Sequence, residues 1–280
     1  MRNYLDDGDI HRLANSAHVA ESLEARYRAK LKTLFAKIAD KTATSILRHG
    51  NTFYVNPSFL DLLMEHWFET TQEAYRISRN ETELSKNPKN KLGRKIPSKL
   101  PDLMFQWDSW RKRRIPTKKQ KALADKLKVA YLQKLQSVWE KNSHEFLTGS
   151  IVQKEEIAKK MAIEANTTYA RGKTIIETET TRYYNQVRRD FYDKSPDVTH
   201  YLFVSIRDHA TTKWCKTRHF IIYRKGSSVL EKETPPIHWN CRSELLPLTP
   251  LNPKHLILIK NEAMHRENRN PEPLPKGWAS

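Results

Sequence analysis

Cysteine is scarce in this chain, which has two cysteines in 280 residues. Two are too few for the disulfide framework of a small secreted domain, and a chain of this length can bury a stable core without cross-links. We therefore expect a reducing compartment, in which the two thiols pack in the core or serve as ligands. Glycine is also rare, with seven residues, and no glycine-rich phosphate-binding loop is present.

Long apolar runs are missing as well. No segment approaches the roughly 18 apolar residues that indicate a membrane span. The N-terminal stretch MRNYLDDGDIHRLANSAHV has no apolar core of signal-peptide length. The sequence thus predicts a protein without a membrane partner that is not exported by a signal peptide.

Positive charge is abundant, with 50 Lys and Arg against 32 Asp and Glu and a net charge of +18. Such an excess favours contact with a polyanion, of which nucleic acid is the obvious candidate. The densest cluster lies near Trp107 and Trp110, where aromatic rings could stack on unpaired bases. The alternative is a solvated linker. The candidate nucleic-acid contacts are Arg111, Lys112, Arg113, Arg114, Lys118 and Lys119.

Apolar residues at helical spacing predict a long helical N-terminal half. The predicted helices run from Asp9 to about Arg48 with Gly50 as a stop, from about Pro57, from Thr117 to about Thr148, from Ser150 as an N-cap, and from Arg171 to Asp193. Prolines and basic residues predict a loop or linker between about 80 and 120.

The period then changes to that of strands. His200–Ile206, a segment from His219, and a possible last strand from Arg242 to Leu246 predict a short antiparallel sheet. A helix from Pro253 to about Arg266 and a Pro-rich tail, disordered or bound to a partner, are expected to follow. The predicted class is α+β, with a basic helical region over 1–148, an α+β module over 149–250, and a helix and tail over 251–280.

Four thiol and imidazole side chains in the second half have spacings that suit a metal. Cys215 and His219 form C-x3-H, and His238 and Cys241 form H-x2-C, so the four could converge on zinc. The alternatives are buried thiols with hydrogen-bonded histidines, or a disulfide between the two cysteines. We expect no bound metal from the sequence, with zinc as the alternative.

A thiol enzyme is a further alternative, with Cys215 as nucleophile, His238 as base and Asp208 as orienting group. Nothing around these residues indicates an oxyanion hole. Glu177 and Glu179 are two residues apart on a predicted helix, so they face different sides and do not form a carboxylate pair. The sequence therefore predicts no catalytic activity.

Three segments in order, RGKTIIETETTRYYN, IRDHATTKWC and PPIHWNCRSELLPL, resemble the phage Mu F-like head morphogenesis family, the minor head proteins of tailed phages. The resemblance covers roughly residues 149–248. Its helix motif falls on Arg171, Thr178 and Glu179, and its other motif positions are Asp208, Cys215, Pro235, Pro236, His238, Asn240, Cys241 and Arg242. Arg218 and Ser243 stand where the family has further cysteines, so the family's cysteine cluster is not intact.

The resemblance implies a virion component of few copies that acts at the portal of the procapsid in head assembly and in DNA packaging or ejection. Its implied partners are the portal protein, other capsid or scaffold proteins, and double-stranded phage DNA. The alternative is a nucleic-acid-binding protein with a small Cys/His module; a toxin or thiol enzyme comes third. In the first interpretation the PPIHWNC segment is structural, closing the module by fixing a turn and tying its last strand to the loop between Asp208 and Cys215.

Overall fold

The computed structural model describes residues 5, 7–51, 55, 57–86, 106–108 and 113–275. The prediction of an α+β protein with a helical first half and a small antiparallel sheet is confirmed. In chain order the elements are α1 (Asp7–His49), α2 (Leu60–Lys86), β1 (Gln106–Asp108), β2 (Arg113–Ile115), α3 (Lys118–Thr148), α4 (Ile151–Ala165), α5 (Tyr169–Tyr192), β3 (His200–Val204), α6 (Lys213–Arg218), β4 (Ile222–Arg224), α7 (Ser228–Glu233), β5 (Glu244–Leu248) and α8 (Pro253–Lys260). Among the described residues, no helix has the length and apolar character needed to cross a lipid bilayer.

The chain forms two compact units that are interleaved in sequence. The first unit comprises Met1–Glu24, Trp67–Ser98 and Glu177–Ser280, and the second comprises Ala25–His66 and Lys99–Ile176. The division thus differs from the boundary expected at residue 148, which falls inside the second unit. There α3 and α4 are separated by only two residues and pack against each other.

The second unit is helical, and local sequence signals set the ends of its helices. Thr117 caps α3 and Ser150 caps α4, each in a capping box with the glutamine three residues later. Gly50 ends α1 with φ of 61°, a conformation that glycine adopts without a steric penalty. Aromatic rings from separate segments meet in the core of this unit. The rings of Phe59 and Tyr131 lie 5.2 and 6.1 Å from that of Phe35.

The first unit is built on a three-stranded antiparallel sheet in the order β4-β3-β5. Alternate residues of a strand face opposite sides, and both faces of this sheet are buried. Tyr201, Phe203 and Leu245 face one cluster, which includes Cys215 and Cys241. The opposite face carries a second cluster, formed by Leu5, Leu202, Val204, Ile222, Leu246, Leu248 and Leu258. The two cysteines therefore belong to the core beneath one face of the sheet.

The segment predicted as a loop between 80 and 120 contains more regular structure than expected. Helix α2 continues to Lys86, and β1 pairs with β2 in an antiparallel ladder, with Trp107 opposite Arg114. Proline positions exclude a long helix here but permit short strands between them. Helix α2 also begins at Leu60 rather than near Pro57, because the Leu63 amide makes its bond to the carbonyl of Phe59.

The C-terminal segment differs from its prediction in three places. The last strand is Glu244–Leu248 rather than Arg242 to Leu246. Helix α8 ends at Lys260 rather than near Arg266, because His265 forms a parallel bridge with Ile222 at the sheet edge, which helical backbone cannot do. The tail is packed as far as it is described: Leu274 lies against the cluster that contains the cysteines.

Candidate functional site

The loop between α7 and β5 carries most of the motif residues. The peptide bond between Pro235 and Pro236 is cis, and Asn240 has φ of 57°, in the left-handed region that asparagine tolerates better than most residues. Ile237 and Cys241 are fully buried. The loop thus contributes Ile237 and Cys241 to the core of the first unit, while Trp239, Asn240 and Arg242 are exposed.

Three small polar side chains on one face of α5 hold this loop: Thr178, Thr181 and Asn185. We call them the α5 clasp. They lie at positions i, i+3 and i+7, which share a helix face. The backbone amide of Asn240 donates to Thr178 Oγ1 at 2.9 Å. Thr181 Oγ1 donates to the backbone carbonyl of Cys241 at 2.5 Å. Asn185 Nδ2 donates to the backbone carbonyl of Ser243 at 3.1 Å. The clasp satisfies backbone groups of a buried loop that no strand pairs.

Thr178 was predicted from the sequence as a motif residue, whereas Thr181 and Asn185 were not. The signal was available, because small polar residues at 178, 181 and 185 repeat with helical spacing. Of the other residues in the helix motif, Glu179 is buried and accepts a hydrogen bond from Arg182 at 3.0 Å. Arg171 is exposed and belongs to the second unit.

An ion pair joins the loop to the segment that follows β3. Arg242 donates to Asp208 Oδ1 at 2.8 Å, and Thr211 donates to the same oxygen at 2.9 Å. The hydrogen bond from Arg242, then that from Thr211, holds the pKa of Asp208 well below its ordinary value. Asp208 therefore does not orient His238 as the thiol-enzyme alternative required.

Cys215, His238 and Cys241 form a buried group that we call the CHC cluster. Cys215 Sγ lies 3.0 Å from His238 Nε2 and 3.7 Å from Cys241 Sγ, and both thiols are free. The potential ligand atoms of the three residues all lie within 4.8 Å of one another. Helix α6 supplies the first cysteine, and the loop before β5 supplies the other two residues. Two free thiols therefore pack beside His238, the arrangement that the alternative of buried thiols with hydrogen-bonded histidines describes.

Neighbouring groups set the orientation and charge of the CHC cluster. His238 Nδ1 is 2.6 Å from the Trp239 carbonyl, and Ser243 Oγ donates to Cys215 Sγ at 3.1 Å. The hydrogen bond with Cys241, followed by burial, raises the pKa of Cys215. Burial opposes ionisation of Cys241, but the hydrogen bond from Cys215 and the nearby imidazole of His238 outweigh it and lower the pKa of this thiol.

His219, considered from its spacing as a fourth ligand, lies outside the CHC cluster. In a continuing helix it would share a face with Cys215, but α6 ends at Arg218 and Phe220 has φ of 64°, so the chain turns away. His219 Nδ1 accepts instead from the Ser205 amide at 3.1 Å. Burial, followed by the charge of Arg207, lowers its pKa to about 4.

Arg218 also points away from the CHC cluster. Its guanidinium donates to Glu233 Oε1 at 3.1 Å and to the backbone carbonyl of Glu272 at 2.7 Å. Tyr223 and Arg266 donate to the same Glu233 carboxylate. Arg218 thus belongs to a separate buried ion-pair network.

The predicted nucleic-acid contacts are described only in part. Arg111 and Lys112 lie outside the described residues, and Arg113 and Arg114 are described only as backbone of β2. Lys118 and Lys119 are exposed in the first turn of α3. Within the second unit the sequence has 24 Lys and Arg against 11 Asp and Glu, so this unit carries +13 of the net +18.

Comparisons with protein-family models, with curated proteins and with solved structures found no match for this chain.

Proposed function

We propose that this protein is a minor head protein of a tailed bacteriophage that acts at the portal of the procapsid in head assembly and in DNA packaging or ejection. One observation carries the proposal: residues of all three segments that resemble the Mu F-like family are partners of one another in the first unit. If the three resemblances were unrelated coincidences, there would be no reason to expect the three segments to contact one another.

The contacts between the segments are specific. The helix segment holds the proline segment through Thr178 and Asn240. The middle segment joins the proline segment through the ion pair of Asp208 with Arg242 and through Cys215 beside His238. These contacts support a structural role for the motifs, because they fix a turn and the start of the last strand without exposing a nucleophile.

Charge supports the proposed DNA partner. A surplus of +13 on the second unit would repel a basic partner and attract phosphates, whose counterions are released on binding. Double-stranded DNA inside a head is the polyanion that a minor head protein meets. The other proposed partners are the portal protein and capsid or scaffold proteins, and the proposed locations are the host cytoplasm during assembly and the head interior afterwards.

The test is to express the chain with the genes that flank its own and to separate assembled particles on a density gradient. Mass spectrometry of each fraction then counts copies of the chain per head. We expect it to sediment with heads or portal assemblies in few copies. Asn185→Leu, which weakens the α5 clasp, should reduce incorporation, whereas Asn142→Leu on the second unit should not.

Two outcomes would contradict the proposal. The first is a chain that stays at the top of the gradient while heads form without it. The second is a folded chain that binds DNA in a salt-sensitive manner but associates with no particle, which would favour the nucleic-acid-binding alternative.

A further inference from the structure

We propose that Cys215, His238 and Cys241 bind one zinc ion, with water in the fourth coordination position. The sequence alone led to the opposite expectation, because the spacing required His219 as a ligand and placed Arg218 near the metal. The geometry of the CHC cluster removes both objections. This inference does not depend on the proposed function, since it concerns the isolated chain.

The spacing of the two sulfur atoms fits a tetrahedral zinc site. Zinc lies about 2.3 Å from thiolate sulfur, so two sulfurs at a tetrahedral angle are about 3.8 Å apart. Cys215 Sγ and Cys241 Sγ are 3.7 Å apart. A disulfide would require a separation of about 2.05 Å, which is much farther from the observed value. His238 Nε2, 3.0 Å from Cys215 Sγ, needs to retreat by only about 0.5 Å to occupy a third corner.

The histidine is oriented as a zinc ligand. Its Nδ1 donates to the Trp239 carbonyl at 2.6 Å, which places the lone pair on Nε2, the atom that faces the sulfurs. Histidines that bind metals usually donate their second ring nitrogen in this way, to a carbonyl or a carboxylate. Ser243 Oγ, which donates to Cys215 Sγ at 3.1 Å, can likewise support a thiolate ligand.

The local charge is also favourable. The Arg218 side chain is 1% exposed and bound to Glu233, so its positive charge is compensated within a different network. Two thiolates and one imidazole form a ligand set that suits zinc better than magnesium or calcium, which prefer oxygen. Both cysteines are already buried, Cys215 in α6 and Cys241 in the loop that the α5 clasp holds, so little ordering is needed on binding.

A small pocket lies beside two of the three proposed ligands, and its lining includes Thr212, Cys215, His238, Asn240 and Ser243. We place the fourth coordination position on this side of the cluster. Among the described residues, no fourth His, Cys, Asp or Glu joins the cluster. Thr212 Oγ1 lies 2.9 Å from His238 Nε2. This hydroxyl is therefore available as a hydrogen-bond partner for a water bound to the metal. An open fourth position distinguishes this site from closed structural sites with four protein ligands.

The first experiment measures metal in the full chain, purified under reducing conditions without a chelator or a metal-binding tag. Elemental analysis should find about one zinc per chain, and metal-free protein should take up about one zinc when titrated with zinc chloride. Zinc should be lost in Cys215→Ser and in His238→Gln. His219→Gln is the matched control, because His219 is only four residues from Cys215 in sequence but lies outside the CHC cluster, and this variant should keep its zinc.

Cobalt substitution provides a readout that does not depend on how the variants fold. Cobalt(II) in the wild-type chain should give the visible bands of a tetrahedral site and the near-ultraviolet charge-transfer bands of thiolate ligands. Added imidazole should shift the visible bands, because it can replace the water in the open position.

The proposal is overturned if folded wild-type protein takes up neither zinc nor cobalt when reduced, or if the isolated chain proves to carry a Cys215–Cys241 disulfide whose reduced form binds no metal. Zinc that survives Cys215→Ser but is lost in His219→Gln would overturn the assigned ligands. A cobalt spectrum that imidazole does not change would overturn the open position.

Discussion

The side-chain oxygen of Asn185 accepts a hydrogen bond from the backbone amide of Leu245 at 3.0 Å. The same side chain donates to the carbonyl of Ser243, so one asparagine on α5 satisfies both a donor and an acceptor of the backbone where β5 begins. All three residues are buried, and water cannot replace these bonds without opening the core. The start of the last strand therefore depends on a helix residue as well as on its pairing with β3.

We expect Asn185→Leu to destabilise the first unit by about 2–4 kcal/mol, because it keeps the side-chain volume but leaves two buried backbone groups unsatisfied. Chemical denaturation followed by circular dichroism measures the effect. Asn142→Leu is the control, since Asn142 is partly exposed and donates only to a helix carbonyl, and it should cost less than about 1 kcal/mol. Equal losses in the two variants would contradict the assigned role.

The buried network around Glu233 leads to a second prediction. Glu233→Gln keeps the shape of the side chain but leaves the charge of buried Arg218 uncompensated, which should cost about 3–5 kcal/mol. The double variant Arg218→Met with Glu233→Gln should recover part of this loss, because no unpaired charge remains in the core. The two residues are not coupled if Arg218→Met lowers the stability by the same amount in the Glu233→Gln variant as in the wild type.

This network also has a pH dependence of defined sign. Burial raises the pKa of Glu233, but hydrogen bonds from Arg266, Arg218 and Tyr223 outweigh burial and lower it below 4.5. The stabilisation is therefore present above the pKa of the unfolded chain and is lost as pH falls through the lower folded value. Glu233→Gln should show a smaller loss of stability than the wild type between pH 5 and pH 3.

The local elements were predictable from sequence because their signals are local. The stop at Gly50, the cap at Ser150 and the strand from His200 depend on neighbouring residues, and the structure has each of them. The two interleaved units were not predictable in this way. Periodicity states which face of a helix is buried but not which distant segment covers it.

The candidate site was predicted in part for the same reason. From spacing alone, His219 and His238 were both candidates to join Cys215. Only the end of α6 at Arg218 excludes His219 from the cluster. The α5 clasp joins residues about 60 positions apart, so no local pattern links Thr181 with Cys241. The packed tail was missed because proline-rich composition predicts extended backbone without saying what that backbone contacts.

His66 leads to a third prediction, in which acid weakens the second unit. This side chain is fully buried beside Tyr27, with ring centroids 4.7 Å apart, and burial lowers its pKa from 6.5 to about 3. The unfolded chain binds the proton more readily, so stability should fall as pH decreases from 6.5 towards 3, by up to roughly 4 kcal/mol. His66→Phe keeps a ring but cannot titrate, and its stability should depend less on pH. His144→Gln, at an exposed position, should keep the wild-type dependence.

The last prediction concerns DNA and the basic cluster Arg111–Arg114. If these residues contact phosphates, the logarithm of the DNA affinity should fall linearly with the logarithm of salt concentration, with a slope of about −0.9 per phosphate neutralised. Replacing all four by alanine should flatten that slope by up to about 3–4.

The matched control must remove four charges from the other unit, so that a change in net charge is not mistaken for a lost contact. Four exposed basic residues of the first unit suit this purpose: Lys216, Arg224, Lys232 and Arg269. Their joint replacement by alanine lowers the net charge of the chain by the same amount, but it should leave the slope nearly unchanged, because the counterions released on binding come from the phosphates that are contacted. Fluorescence anisotropy with a labelled duplex at several salt concentrations gives both slopes. If the two variants flatten the slope equally, binding depends on the overall charge of the chain, and the cluster has no special role.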